Sequence, residues 1–268
     1  MEKQIYSFIM KNSPAILTIM ASALFSASAT FLPPGFVLLS DVDPSIIQSV
    51  RYASSQNFMG RPMDGYNCPQ IVLTKQAADA LVKVQASLKE QGYGLVVYDG
   101  YRPQPTVDSF VEWSFDDSDL AAKAWYYPTL VGSKVKLFEE GYIAKRSGHT
   151  RGSTVDLTII KLGDTVHDIV VSKRMLSNGD EISFLDDGTV DMGSSFDLFH
   201  PASNQDSPLI KDQIYIANRD TLRQAMKRSG FKEYAGEWWH FTLADEPYPV
   251  TYFDFILCQK GEQEAQKL

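Results

Sequence analysis

Between residues 74 and 91 the apolar positions recur at helical spacing. Ala78, Leu81, Val84 and Leu88 form one stripe, Thr74 stands where it can cap the start, and Gly92 stands where the helix must stop. Residues 95–98 are a β-rich run that ends at Asp99-Gly100. Shorter helical patterns cover residues 108–113, 120–125 and 134–140, with Pro128 and Gly141 behind the last two. Residues 154–160 alternate instead. Val155, Leu157 and Ile159 point one way and Thr154, Asp156 and Thr158 the other, which predicts a strand with a polar face. Residues 220–229 predict a helix with Leu222 and Met226 inward and Gly230 as its stop. Helices and strands mix without a βαβ rhythm, so the pattern predicts an α+β fold. Residues 163–187 break it. They are rich in Asp, Asn and Gly, and the Asn178-Gly179 turn is flanked by Ile169-Val170-Val171 and Ile182-Ser183-Phe184, which predicts an inserted surface hairpin.

The N-terminus does not fit this domain. Lys3 and Lys11 precede an uncharged run, residues 13–29, that contains Ile16, Leu17, Ile19, Met20, Leu24 and Phe25 and ends in Ala27-Ser28-Ala29. A positive start, a short apolar middle and small residues at the end read as a secretory signal peptide over residues 1–29. A buried N-terminal helix or an uncleaved anchor is the alternative reading of the same residues. The division expected is therefore a signal over 1–29 and one domain over 30–268, placed in the periplasm or secreted, with no stable membrane span once the signal is gone. Residues after Gln259 form a polar tail.

Composition narrows the function classes. Hydrophobic residues make up 44% and charged residues 22%, enough to build a packed core. The net charge of −8 argues against a nucleic-acid surface, which needs a basic footprint. Two cysteines, Cys68 and Cys258, exclude a disulfide-framework mini-protein and a cysteine zinc finger. An oxidising compartment would allow them to pair, but two cysteines alone do not show that they do. Four histidines, His149, His167, His200 and His240, are the whole supply for any imidazole site.

Two of them stand in suggestive company. His149 lies in the glycine-punctuated loop Ser147-Gly148-His149-Thr150-Arg151-Gly152, and Asp156 is on the polar face of the strand that follows. Glu237-Trp238-Trp239-His240 comes after the last helix. His149, Asp156 and His240 would be three N/O ligands with a fourth position open, the donor set of a catalytic zinc site. Glu237 is then placed to take a proton from an attacking water. The bland alternatives remain: a His beside an Asp is often an ordinary hydrogen-bonded pair, and Trp238-Trp239 is as readily core as pocket.

The combination Ser147-x-His149-x-x-Gly152-x-x-x-Asp156 with Glu237-x-x-His240 resembles the zinc D,D-peptidases related to Hedgehog domains. More closely, the chain resembles the VanX-type D-alanyl-D-alanine dipeptidases. Further matching segments are Asn57-Phe58-Met59-Gly60-Arg61-Pro62, Asp64-Gly65-Tyr66, Asp99-Gly100-Tyr101-Arg102-Pro103, Met192-Gly193-Ser194-Ser195-Phe196-Asp197 and Asp245-Glu246-Pro247-Tyr248-Pro249, in the family's order from about residue 37 to residue 255. The resemblance implies a single α+β domain with a central antiparallel sheet flanked by helices. It implies one zinc per chain on His149, Asp156 and His240, Glu237 as general base, and Arg102 as the group that stabilises the oxyanion. It also implies that Tyr52, Tyr66, Ser147 and Asp197 hold the dipeptide, with Asp197 near its free ammonium. The expected activity is hydrolysis of D-alanyl-D-alanine to two D-alanines, linked to cell-wall peptide metabolism. A D,D-carboxypeptidase acting on peptidoglycan stem peptides and a non-catalytic wall-binding module are the alternatives. The 163–187 insertion and the signal-like segment depart from the resistance enzymes of the family, which act in the cytoplasm. Ser229-Gly230-Phe231-Lys232 imitates the S-x-x-K motif of serine D,D-peptidases, but Gly230 denies it the helical turn it needs. His167 and His200 are expected in solvent-facing loops. The oligomeric state is not set by the sequence.

Overall fold

A computed structural model describes residues 32–258 of the chain. The signal reading of residues 1–29 lies outside the described residues, as does the tail after Gln259. The first half contains β1 (Phe36–Leu38), α1 (Leu39–Val42), β2 (Ile47–Gln48), β3 (Val72–Thr74), α2 (Lys75–Lys89), β4 (Tyr93–Asp99), α3 (Gln104–Ser114), α4 (Lys123–Tyr126) and α5 (Lys136–Glu139). The second half contains β5 (Thr154–Lys161), β6 (Val170–Met175), β7 (Glu181–Asp186), α6 (Gln213–Arg228), β8 (Phe231–Tyr234) and β9 (Glu237–Leu243).

The α+β expectation holds. A five-stranded sheet runs in the order β2-β4-β5-β9-β8, antiparallel throughout except for the parallel edge pair β2–β4. Helix α2 forms where the stripe predicts it. The Thr74 hydroxyl accepts the Ala77 N–H at 3.4 Å, which satisfies one of the free donors of the first turn. Ala77, Leu81, Val84 and Leu88 are fully buried, and Gln85 ties the helix to β4 by accepting the Leu95 N–H at 2.7 Å. Helix α6 begins well before the predicted residue 220, capped by the Asp212 carboxylate on the Ile214 N–H at 3.0 Å. Its first turns expose Ile214 and Ile216, so they carry no inward stripe. The patterns at 120–125 and 134–140 condense to the single turns α4 and α5.

Strand β5 alternates as predicted, but its polar face is buried along with its apolar one. Thr154, Asp156 and Thr158 therefore point into the protein, not into bulk water. Residues 163–187 do contain a hairpin: β6 pairs with β7, and Gly179 supplies the positive φ of 91° that the turn requires. Strand β6 is mostly exposed, whereas β7 buries Ile182 and Ser183, and Leu185 donates its N–H to Ser195 Oγ at 2.8 Å. Arg51 pairs with Asp187 in the interior, so the hairpin is anchored at its base.

Cys68 and Cys258 form a disulfide across 190 residues. It fastens the C-terminal strap beside Tyr66, where Leu257 bridges in parallel and accepts the Asn67 N–H at 3.2 Å. A disulfide typically contributes on the order of 2–4 kcal/mol by restricting the unfolded chain, and more for a longer loop.

Candidate active site

The sheet register sets the site. Asp99 on β4 lies opposite Asp156 on β5, and Asp156 lies opposite His240 on β9. Three functional groups thus share one row across three strands. A register shift between Val97 and Asp99 brings Asp99 into that row. His149 enters from the 3-10 turn Gly148–Arg151 that leads into β5, with Ser147 capping the turn by accepting the His149 N–H at 3.2 Å. The turn closes at Gly152, whose φ is 84°; a Cβ there would stand 2.2 Å from the Phe36 ring, so only glycine fits. Gly100 is required for a different reason: a Cβ would meet the Val72 carbonyl at 2.8 Å.

His149, Asp156 and His240 bring their donor atoms within 4.8 Å of one another. His149 Nε2 is 3.2 Å from Asp156 Oδ2, and His240 Nδ1 is 3.0 Å from Asp156 Oδ1. The other imidazole nitrogen of His149, Nδ1, is engaged by the Gly100 carbonyl at 2.8 Å, which fixes the ring with Nε2 toward Asp156. His149 Nε2 and Asp156 Oδ1 are buried and make no hydrogen bond. Orphaned buried donors that converge on one point are what a cation satisfies, and two imidazoles with a carboxylate suit a divalent transition metal.

The charges around the site agree. Asp99, Asp156, Asp197 and Glu237 are all buried, and Arg102 is the guanidinium among them. Burial pushes the Glu237 carboxyl well above its ordinary range, with the charges of Asp156 and Asp197 adding to the shift and Arg102 opposing it. Asp197 is raised to about 8 by burial and by Asp156, against the Tyr52 hydroxyl and Arg102. Burial would raise Asp156 too, but His149 and His240 beside it hold that carboxyl low. His240 is lowered, chiefly by burial. A cation at the cluster relieves this crowding of carboxyls.

Arg102 is oriented by Asp99, which accepts its Nε–H at 2.9 Å; its terminal nitrogen is 3.5 Å from Asp156 and its head lies over the Tyr52 ring at 4.8 Å. Glu237 Oε2 is 3.4 Å from His240 Nδ1. The Tyr52 hydroxyl donates to Asp197 at 2.8 Å. Asp197 itself has a φ of 58°, a conformation costing on the order of 1–3 kcal/mol that clusters at functional sites. All of these groups except Asp99 open onto one cavity of about 460 Å³.

The D-Ala-D-Ala dipeptidase family profile, Peptidase M15, matches residues 34–170 and 180–258, nearly all of the described chain. The chain belongs to that family. It is similar to the D-alanyl-D-alanine dipeptidase of Streptomyces coelicolor, with 39% identity over 223 residues, covering 83% of this chain and 98% of that protein. The Enterococcus faecalis protein of the same name is 38% identical with the same coverage. The Escherichia coli one is 27% identical over 213 residues, 79% of this chain and 86% of that protein. The residues between the two matched parts of the family profile, 171–179, fall on β6 and its turn, inside the hairpin expected as an insertion.

Eight of the nine residues singled out in the sequence line the cavity: Tyr52, Arg102, Ser147, His149, Asp156, Asp197, Glu237 and His240. Tyr66 stands behind it and spends its hydroxyl on Asp99, at 2.5 Å. Asp99 is the residue the sequence reading passed over. It accepts from Tyr66, Arg102 and the Gly100 N–H, and sits 3.4 Å from His149 Nδ1. The signal was the end of a β-run next to Gly100-Tyr101-Arg102, but the register that makes it central is tertiary. His167 is exposed as expected. His200 is not: it is buried, with Nε2 3.1 Å from Asp180 of the hairpin, because the insertion folds back over its loop. Ser229 ends α6 and Lys232 lies on β8, so the S-x-x-K imitation has no helical turn.

The raised Asp197 carboxyl predicts a pH-dependent stability in metal-free protein. Its folded value of about 8 exceeds the unfolded value of about 3.9, so between these the folded chain holds the proton more tightly. This group's contribution falls as pH rises from about 4 to 8, by at most about 1.4 kcal/mol per pH unit. Asp197→Asn should therefore gain on the parent steadily over that window. Urea midpoints in chelator at pH 5 and pH 7.5 check it, and parallel shifts at both pH values would contradict it.

Proposed function

We propose that the protein hydrolyses free D-alanyl-D-alanine to two molecules of D-alanine, with zinc held by His149, Asp156 and His240. The converging donors of these residues, with those of His149 and Asp156 orphaned, flanked by Glu237 and Arg102 in one cavity, carry this reading. Zinc bound there supplies Lewis acidity to water and to the scissile carbonyl.

The chain's own groups do the rest. Glu237 is a carboxylate made more basic by burial, suited to accept the proton of the attacking water and hand it to the departing amine. Arg102, held by Asp99 with its terminal nitrogen toward Asp156, faces the oxygen on which negative charge builds. Tyr66 acts through Asp99 and keeps that carboxylate in place for Arg102. Ser147 and Tyr52 line the cavity where the dipeptide lies, and Asp197 receives its ammonium. An arriving cation favours the ionised form of Asp197, so binding of the substrate amine and loss of the Asp197 proton go together. Removing metal with a chelator should abolish D-alanine release from the free dipeptide, and one equivalent of zinc per chain should restore it. Undiminished release in fully stripped protein would contradict the reading.

The protein is further proposed to act outside the cytoplasm on dipeptide from the cell wall, after cleavage of residues 1–29. The Cys68–Cys258 disulfide supports an oxidising compartment. N-terminal sequencing of the native protein should begin near Thr30; an intact Met1 in the cytoplasmic fraction would overturn the location.

A further inference from the structure

Beyond the 460 Å³ cavity lies a second hollow of about 490 Å³. Tyr142 and Phe199 line both. Their rings are stacked, with centroids 5.5 Å apart and planes 27° from parallel, so two rings are the partition between the hollows. The two leaves differ. Phe199 is buried, packs on Phe58 at 4.9 Å and donates its N–H to the Tyr126 carbonyl at 2.6 Å. Tyr142 is half-buried on the turn after α5, held by its N–H to the Leu137 carbonyl at 2.9 Å.

Through Phe199 the partition is linked by packing to the Asp197 side of the cavity. Phe199 follows Asp197 by two residues, and Phe58, which supports Phe199, also touches Tyr52, the partner of Asp197. With a substrate ammonium at Asp197, an amino-terminal extension running past Tyr52 and Phe58 would meet the two rings. The hollow behind is lined by Leu130, Val131 and Leu137, with Lys136 and Glu140 beside them, and Val131 is 78% exposed, so the space opens to solvent. Apolar walls with both signs of charge suit a peptide.

We propose that the Tyr142–Phe199 stack is the element that limits the substrate to two residues, and that the hollow behind it is where an amino-terminal extension would lie once the stack is opened. This rests on the dipeptidase reading above. Tyr142 and Phe199 are specificity residues; neither touches the reacting atoms.

The test measures D-alanine release from free D-Ala-D-Ala and from an N-acylated peptide ending in D-Ala-D-Ala. The parent, Tyr142→Ala, Tyr142→Leu and Tyr142→Phe are compared by the ratio of kcat/KM for the long substrate to that for the short one. Both trimmed variants should raise the ratio at least 10-fold, and Tyr142→Phe, which keeps the ring, should leave it at the parent value. Tyr142→Leu retains apolar volume and covers the case in which the alanine variant does not fold. An unchanged ratio in a folded trimmed variant overturns the partition, as does a parent that already cleaves both substrates equally. A parent inactive on the free dipeptide would instead sink the dipeptidase reading, and with it this proposal's premise; the two failures are told apart by the short substrate alone.

Discussion

Glu237→Ala is expected to keep its metal and lose turnover of D-Ala-D-Ala by about 10²–10⁴-fold, the usual worth of a general base. The expectation separates Glu237 from the ligands beside it. Its carboxylate lies 3.4 Å from His240 Nδ1, close enough to serve the same water without being needed to hold the ion. The loss should not come from unfolding. Burial and the nearby charges of Asp156 and Asp197 raise the Glu237 carboxyl, so ionising it costs the folded state above the ordinary carboxylate range, and its removal relieves that cost. Metal content by elemental analysis and turnover on the same sample check the pair of outcomes. Full activity with unchanged metal would remove Glu237 from the mechanism.

His240→Ala should behave differently, with metal and activity lost together. Removing one of the three proposed ligands would leave Asp156 facing a cation site it shares only with His149. Loss of a group that merely orients a ligand typically costs ~10–100-fold, so loss of the ligand itself should exceed that. Arg102 remains 3.5 Å from Asp156 in either case and cannot replace the ion's chemistry. A variant that retained one equivalent of metal after dialysis and turned over normally would refute the ligand assignment.

His149 and Asp156 stand out locally, because the glycine-rich turn and the strand alternation fold where that pattern puts them, whereas His240 on β9 joins them through the Glu237-Trp238-Trp239-His240 motif and the family resemblance. Helix α2 is legible locally as well, through its cap and its stripe. Asp99 is not, since its role arises from a register shift between β4 and β5 that no local pattern encodes. The early turns of α6 are hidden because Ile214 and Ile216 face solvent there. Tyr142 and Phe199 meet only after the chain between them has folded, and neither carries a motif. His200 reads as a loop residue until the hairpin brings Asp180 to it.

The position of Asp197 makes the substrate's free amine the most exacting part of the account. A carboxylate that pairs with an ammonium in a buried site loses on the order of 2–5 kcal/mol when either partner is removed. D-alanine release from free D-Ala-D-Ala and from an N-acylated stem peptide, measured side by side with the zinc-loaded parent, therefore tests the central claim most directly. The free dipeptide should be cleaved at least about 30-fold more efficiently, at ~1.4 kcal/mol per tenfold. Equal release from the acylated peptide would contradict the dipeptidase account and put a D,D-carboxypeptidase in its place.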